Sequence, residues 1–116
     1  MTKPLESEFK IIIPREKRKA IKNALTKMSR RFGGATEILV RGVWENPRTK
    51  KLVKDENVLL FSTRDLDGKS PKILNKDRKF MDKLAKEIVR QTKEDEIMIE
   101  EDIIRDVDFV KLGGVV

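Results

Sequence analysis

The chain contains no cysteine, no histidine and no tyrosine. Without cysteine there is no disulfide and no thiolate metal site, and without histidine the usual zinc ligand sets fall away. Ser-His and Cys-His nucleophilic machinery is excluded on the same ground. Histidine is the common proton-transfer group near neutral pH. Its absence counts against an enzyme and leaves carboxylates and lysines as the acid–base groups. Aromatic residues are sparse at 5%, and no aromatic pair of the kind that stacks unpaired bases stands out. No apolar run reaches the ~18 residues of a membrane span. The opening Met1-Thr2-Lys3-Pro4-Leu5-Glu6 has no apolar signal core. These absences point to a cytoplasmic protein with no cofactor and no membrane partner.

Charge is what the chain has in quantity: 41% of its 116 residues are Asp, Glu, Lys or Arg, with a net charge of +7. The distribution is uneven. Met1 to Lys54 carries 15 basic against 5 acidic residues, Asp55 to Lys93 carries 10 against 7, and Glu94 to Val116 carries 2 against 8. A basic front and an acidic tail suggest a polyanionic partner or self-pairing. Abundant Lys, Arg and Glu, with one glutamine, resemble the composition of hyperthermophile proteins.

The apolar residues fall in periodic runs that read as one α+β domain over 8–112, with flexible ends at 1–7 and 113–116. Phe9 to Ile13 reads as a buried strand ended by Pro14. Arg15 to Arg31 has helical spacing, with Ala20, Ile21, Ala24, Leu25 and Met28 inward, and Gly33-Gly34 stops it. Thr36 to Trp44 and Leu52 to Ser62 read as a hairpin turning at Glu45 to Lys50 and projecting past the sheet. Val58 to Phe61 within it suggests burial on both faces. Thr63 to Asn75 reads as a loop, with Asn75 or Asp77 capping a helix over 76–92. Glu96 to Glu100 reads as a strand, and residues 101–110 fit either another strand or a helical turn. The order β-α-β-β-α-β resembles the ferredoxin-like arrangement, an antiparallel sheet with two helices on one face. That resemblance covers about residues 8–100, is topological, and implies no activity.

Two basic clusters are the candidate nucleic-acid contacts. Arg15, Lys17, Arg18 and Lys22 belong to the first helix, where only Glu16 offsets them; Arg48, Lys50 and Lys51 sit in the hairpin turn. Cations so placed would meet phosphates of DNA or RNA, with weak sequence preference. The second helix mixes Lys79, Lys83, Lys86 and Arg90 with Asp82 and Glu87, and reads as ordinary surface. Trp44 is expected to close the core beneath the hairpin rather than stack on a base. Asp65 to Lys69 reads as a turn, since it lacks the ligands of a calcium loop. The acidic end, including Asp106 and Asp108, reads as electrostatic balance ahead of a Mg²⁺ site, which leaves a carboxylate-dependent enzyme as the last alternative. A self-assembling module, such as a homodimer, ranks between the two.

Overall fold

The computed structural model describes residues 6–66, 70, 72–94 and 97–104. Along them run β1 (Glu6–Pro14), α1 (Arg18–Phe32), β2 (Thr36–Glu45), β3 (Leu52–Asp65), α2 (Lys72–Thr92) and β4 (Met98–Ile104). The strands form one antiparallel sheet in the order β2-β3-β1-β4. Both helices pack on one face of it, so the expected β-α-β-β-α-β layout is the observed one.

The core lies between the sheet and the helices. Phe9, Ile11 and Ile13 of β1 alternate inward, as a period of two requires, beside Val58 and Leu60 of β3. Ala20, Ile21, Ala24 and Met28 of α1 and Leu74, Met81, Leu84, Ala85 and Ile88 of α2 close over them. Small alanines on the inner stripe let α1 approach the sheet closely, while each buried Ile or Leu contributes roughly 1.5–3 kcal/mol. Gly33 ends α1 in the left-handed region at φ 89°, and its N–H donates to the Ser29 carbonyl.

Several boundaries differ from the sequence reading, each for a tertiary reason. β1 begins at Glu6, inside the segment read as a flexible end, because its backbone pairs with both β3 and β4 there. Ser7 is fully buried and its hydroxyl donates to Glu101. Pro14 is the last residue of β1, opposite Asn57, and α1 starts only at Arg18. β3 runs on to Asp65 because β1 offers it partners that far. α2 starts at Lys72, where the Ser70 hydroxyl accepts from the Lys72 N–H, so neither Asn75 nor Asp77 is its cap. β3 is interior in the sheet but buried on one face only, with Leu59 and Phe61 half-buried on the side away from the helices. The question of strand or turn resolves as strand through Ile104; Asp106, Asp108 and the rest of that stretch lie outside the described residues, as does Asp67 to Lys69.

The β2–β3 hairpin is longer than its neighbour. β1 reaches only to Asn57 of β3, whereas β2 and β3 continue pairing to Glu45 and Leu52. The last five residue pairs, Arg41–Glu56 to Glu45–Leu52, are therefore a two-stranded ribbon projecting from the sheet, roughly 17 Å long at ~3.3 Å per residue. Its turn is fixed by Asn46, whose side-chain oxygen accepts from the Arg48 and Thr49 N–H groups.

Candidate nucleic-acid interface

The folded chain is electrostatically layered. The two helices hold thirteen Lys/Arg against three Asp/Glu, whereas the four strands hold four against ten. Among the described elements, positive charge is concentrated in the helix layer and negative charge in the sheet.

On α2, the three acids are all accounted for away from the open surface or beside it. Asp77 is fully buried and takes hydrogen bonds from Arg31 and Arg64. Glu87 turns toward α1, where Lys27 and Asn23 donate to it. Asp82 pairs with Lys86 at 3.0 Å, one turn along. What remains outward is a row: Lys72, Lys76, Lys79, Lys83, Lys86 and Arg90, in steps of four and three, all exposed. Such steps keep side chains on one stripe, and the row spans ~27 Å at 1.5 Å per residue. Among the described residues only Lys86 of these six has an acidic partner within bridging distance. Alongside, α1 presents Lys19, Lys22 and Arg30, exposed and without an acidic partner among the described residues.

The sequence-predicted residues separate into three places. Lys22 belongs to this helix layer. Arg15 and Arg18 line a groove between the start of α1 and the base of the ribbon, with Lys54 but also Glu16, Asp55, Glu56 and Glu94. There Arg15 is bonded to Glu56, and Arg18 lies 3.4 Å from Glu37. Lys17 precedes α1 and bonds back to Pro14 through its backbone N–H. Arg48, Lys50 and Lys51 stand at the ribbon tip, exposed and without acidic partners among the described residues, a ribbon's length from the helices. The two predicted clusters are not drawn into one footprint. The acidic stretch of β4 does not quench Lys17, Arg18 or Lys22: Glu101 bridges Arg78 and Asp102 bridges Lys10.

The α2 row is the part that the sequence reading missed. Its spacing is legible in the sequence, but Lys72 falls in a segment read as a loop, and Asp82 and Glu87 read as compensation for the whole row, whereas Asp82 meets only Lys86 and Glu87 turns to Lys27 and Asn23 on α1. Trp44 is a second correction. It sits on the ribbon opposite Val53 and is 46% exposed, because β1 has already stopped and no described strand lies beside the ribbon there. The described residues contain no cluster of acidic side chains arranged to hold a metal. No helix among them is long and apolar enough to cross a membrane.

The ion pairs fix the pH response. Hydrogen bonds from Lys27 and Asn23 hold Glu87 below its ordinary 4.5; a bond from Arg15 does so for Glu56, and one from Arg78 for Glu101. A depressed carboxylate contributes stability above its unfolded pKa and loses it as the pH falls through the folded one. Lys10, raised from 10.5 chiefly by its bond to Asp102, contributes below that value and loses the contribution above it. No histidine titrates in between. Thermal melts are therefore expected to be flat from about pH 5.5 to 8, to fall below pH 4.5 and to fall above pH 10.5. Glu87→Gln should flatten part of the acid limb; an unchanged acid limb in Glu87→Gln, Glu56→Gln and Glu101→Gln together would refute the assignment.

No family model matches the chain, and no curated protein matches it in sequence. Solved structures do match in shape. A phage SAM lyase in complex with S-methyl-5'-thioadenosine aligns with a TM-score of 0.54 and 18% identity, over 89% of this chain and 84% of its own. CutA from Synechococcus elongatus aligns with a TM-score of 0.51 and 5% identity, over 90% and 81%. The fold is ferredoxin-like. At these identities the likeness extends to the fold alone, which hosts many unrelated functions.

Proposed function

We propose that this is a non-enzymatic protein that binds nucleic acid through phosphate contacts, with weak sequence preference, and that the contact surface is the helix layer. The observation that carries the reading is the α2 row, Lys72 to Arg90, with five of its six cations unpaired among the described residues. Cations on a rigid helix at regular intervals meet a polyphosphate backbone without ordering flexible loops first, and each neutralised phosphate releases counterions. Lys19, Lys22 and Arg30 widen the row to two helices. Phosphate contacts fix position on the backbone and carry no sequence information, so affinity through this surface should depend little on sequence.

The test is fluorescence anisotropy with labelled 30-mers of duplex DNA, duplex RNA and single strands in about 50 mM salt. Lys76→Gln/Lys79→Gln/Lys83→Gln should weaken binding to all of them by at least tenfold. These side chains are exposed, so the fold should survive, as circular dichroism would check. Equal binding by that variant and the parent, or no binding by the parent at low salt, ends the proposal.

A second reading starts from the phage neighbour, whose structure holds a nucleoside thioether. Its test is a melting curve with millimolar S-methyl-5'-thioadenosine. The polyanion reading expects no change in Tm, whereas a saturable rise would favour a nucleoside pocket.

A further inference from the structure

The face of the sheet away from the helices carries no layer of its own among the described residues. One row crosses all four strands: Ile38, Leu59, Ile12 and Met98, set side by side by the strand register. Phe61, Val40, Val53 and Trp44 extend it along the strands, with Asn57 and Asp55 as the polar members of its middle. Ile38 is 43% exposed, Trp44 46% and Met98 55%. On the opposite side of the ribbon Val43 and Leu52 are 60% and 72% exposed, but they stand among Arg41, Glu45, Lys54 and Glu56. Soluble proteins rarely leave so many large apolar side chains together in water.

The same face changes sign along its length. At one end Glu8, Glu100 and Asp102 surround a single cation, Lys10, which is bridged to Asp102 at 2.5 Å. At the other end is the ribbon tip, with Arg48, Lys50 and Lys51. A face with an apolar middle and opposite charges at its two ends is complementary to itself when turned by 180°.

We infer that a second copy of this chain covers this face, related by a two-fold axis near the row Val40–Asn57–Pro14. About seven residues separate that row from the tip, about six separate it from Glu8 and Asp102, and about four from Glu100, so the tip lies ~23 Å and the acidic end ~13–20 Å from the axis along the strands. Each basic tip then meets the partner's Glu8, Glu100 and Asp102, and each Trp44 meets the partner's Phe61. The area is adequate. Four strands ~4.8 Å apart and about eight residues long make a face of roughly 500 Å², and the ribbon adds roughly 150 Å². Side-chain relief brings that near the ~800 Å² per partner of a stable interface. The helix layers stay outward on both copies, so the inference stands apart from the polyanion reading.

Sedimentation velocity from 1 to 100 µM provides the test, with Trp44 emission as a second readout, since it is the only tryptophan. A dimer is expected, with a blue shift of Trp44 on association. Ile38→Lys and Met98→Lys, both at exposed positions that accept a lysine in the monomer, should each weaken association at least tenfold. Lys50→Glu/Lys51→Glu should weaken it similarly, and adding Glu8→Lys/Glu100→Lys should restore at least half of the loss on a logarithmic scale. A monomer at 100 µM overturns the inference: a Trp44 emission already blue-shifted would assign the face to this chain's own residues, and a red one to a different protein. A dimer indifferent to Ile38→Lys, Met98→Lys and the charge swap overturns it as well. The α2 glutamine variant should leave association unchanged while it weakens nucleic-acid binding, so each idea fails separately.

Discussion

Asp77→Ala is expected to destabilise the fold by about 3–5 kcal/mol, the usual cost of removing one partner from a buried ion network. Asp77 is completely buried. Its two oxygens accept from Arg64 Nε at 2.8 Å and Nη2 at 3.0 Å, and from Arg31 Nε at 3.0 Å. It ties the second turn of α2 to the last turn of α1 and to β3. Each guanidinium also lies over an aromatic ring, Arg31 over Phe80 at 5.4 Å and Arg64 over Phe32 at 5.1 Å. Phe32 in turn stacks on Phe9 in the core. The bond to Asp77 raises the Arg64 pKa above its ordinary value. Without the carboxylate, two guanidiniums stay charged in a poorly hydrated site with no counterion. Tm should drop by roughly 10–20 °C for a chain of this size.

Asp77→Asn separates charge from shape. It keeps an acceptor for one arginine but removes the charge, and its loss should fall between that of the parent and of alanine. Replacing Asp77, Arg31 and Arg64 together by apolar residues of similar volume should recover much of the loss, because the penalty comes from uncompensated charge rather than from missing bonds. A cost under 1 kcal/mol for Asp77→Ala, measured by urea unfolding, would show that water reaches the arginines and that the network is a surface one.

The second large effect is in the salt dependence of nucleic-acid binding. If the five unpaired cations of the α2 row each neutralise a phosphate of duplex DNA, log K should fall with log salt at a slope of about −4.5. Between 50 and 200 mM that is a loss of roughly 500-fold. Lys76→Gln/Lys79→Gln/Lys83→Gln removes three contacts, and the slope should become shallower by about 2.7. Arg48→Gln/Lys50→Gln/Lys51→Gln should leave the slope unchanged, because the ribbon tip stands far from the helix layer. A slope that responds to the tip and not to α2 would move the contact surface to the ribbon, where the sequence reading had placed part of it.

The outcome for individual residues follows from the range of the forces involved. Gly33 as the stop of α1 was legible because a left-handed cap is a local requirement. The ribbon was legible because Asn46 and Pro47 mark a turn wherever they stand. Glu87 was misjudged because its partners, Lys27 and Asn23, lie 60 and 64 residues away in the chain. Asp77 was misjudged in the same way: aspartate near a helix start is a common cap, and the pull of Arg31 and Arg64 has no local signature. The cation row went unseen for the same reason, since its exposure depends on where those acids turn.

The sequence by itself determined the element order, the inward faces of strands and helices, and the excess of positive charge. Periods of two and 3.6 are properties of the backbone, and they sort apolar from polar side chains before any tertiary contact exists. Only the tertiary structure decided which charges are spent on one another and which stay open to a partner. It also decided that Trp44 lies in the open, because β1 ends at Pro14 while its neighbours continue. Ion pairing and burial join residues distant in the chain, and only the packed sheet and helices bring them within reach.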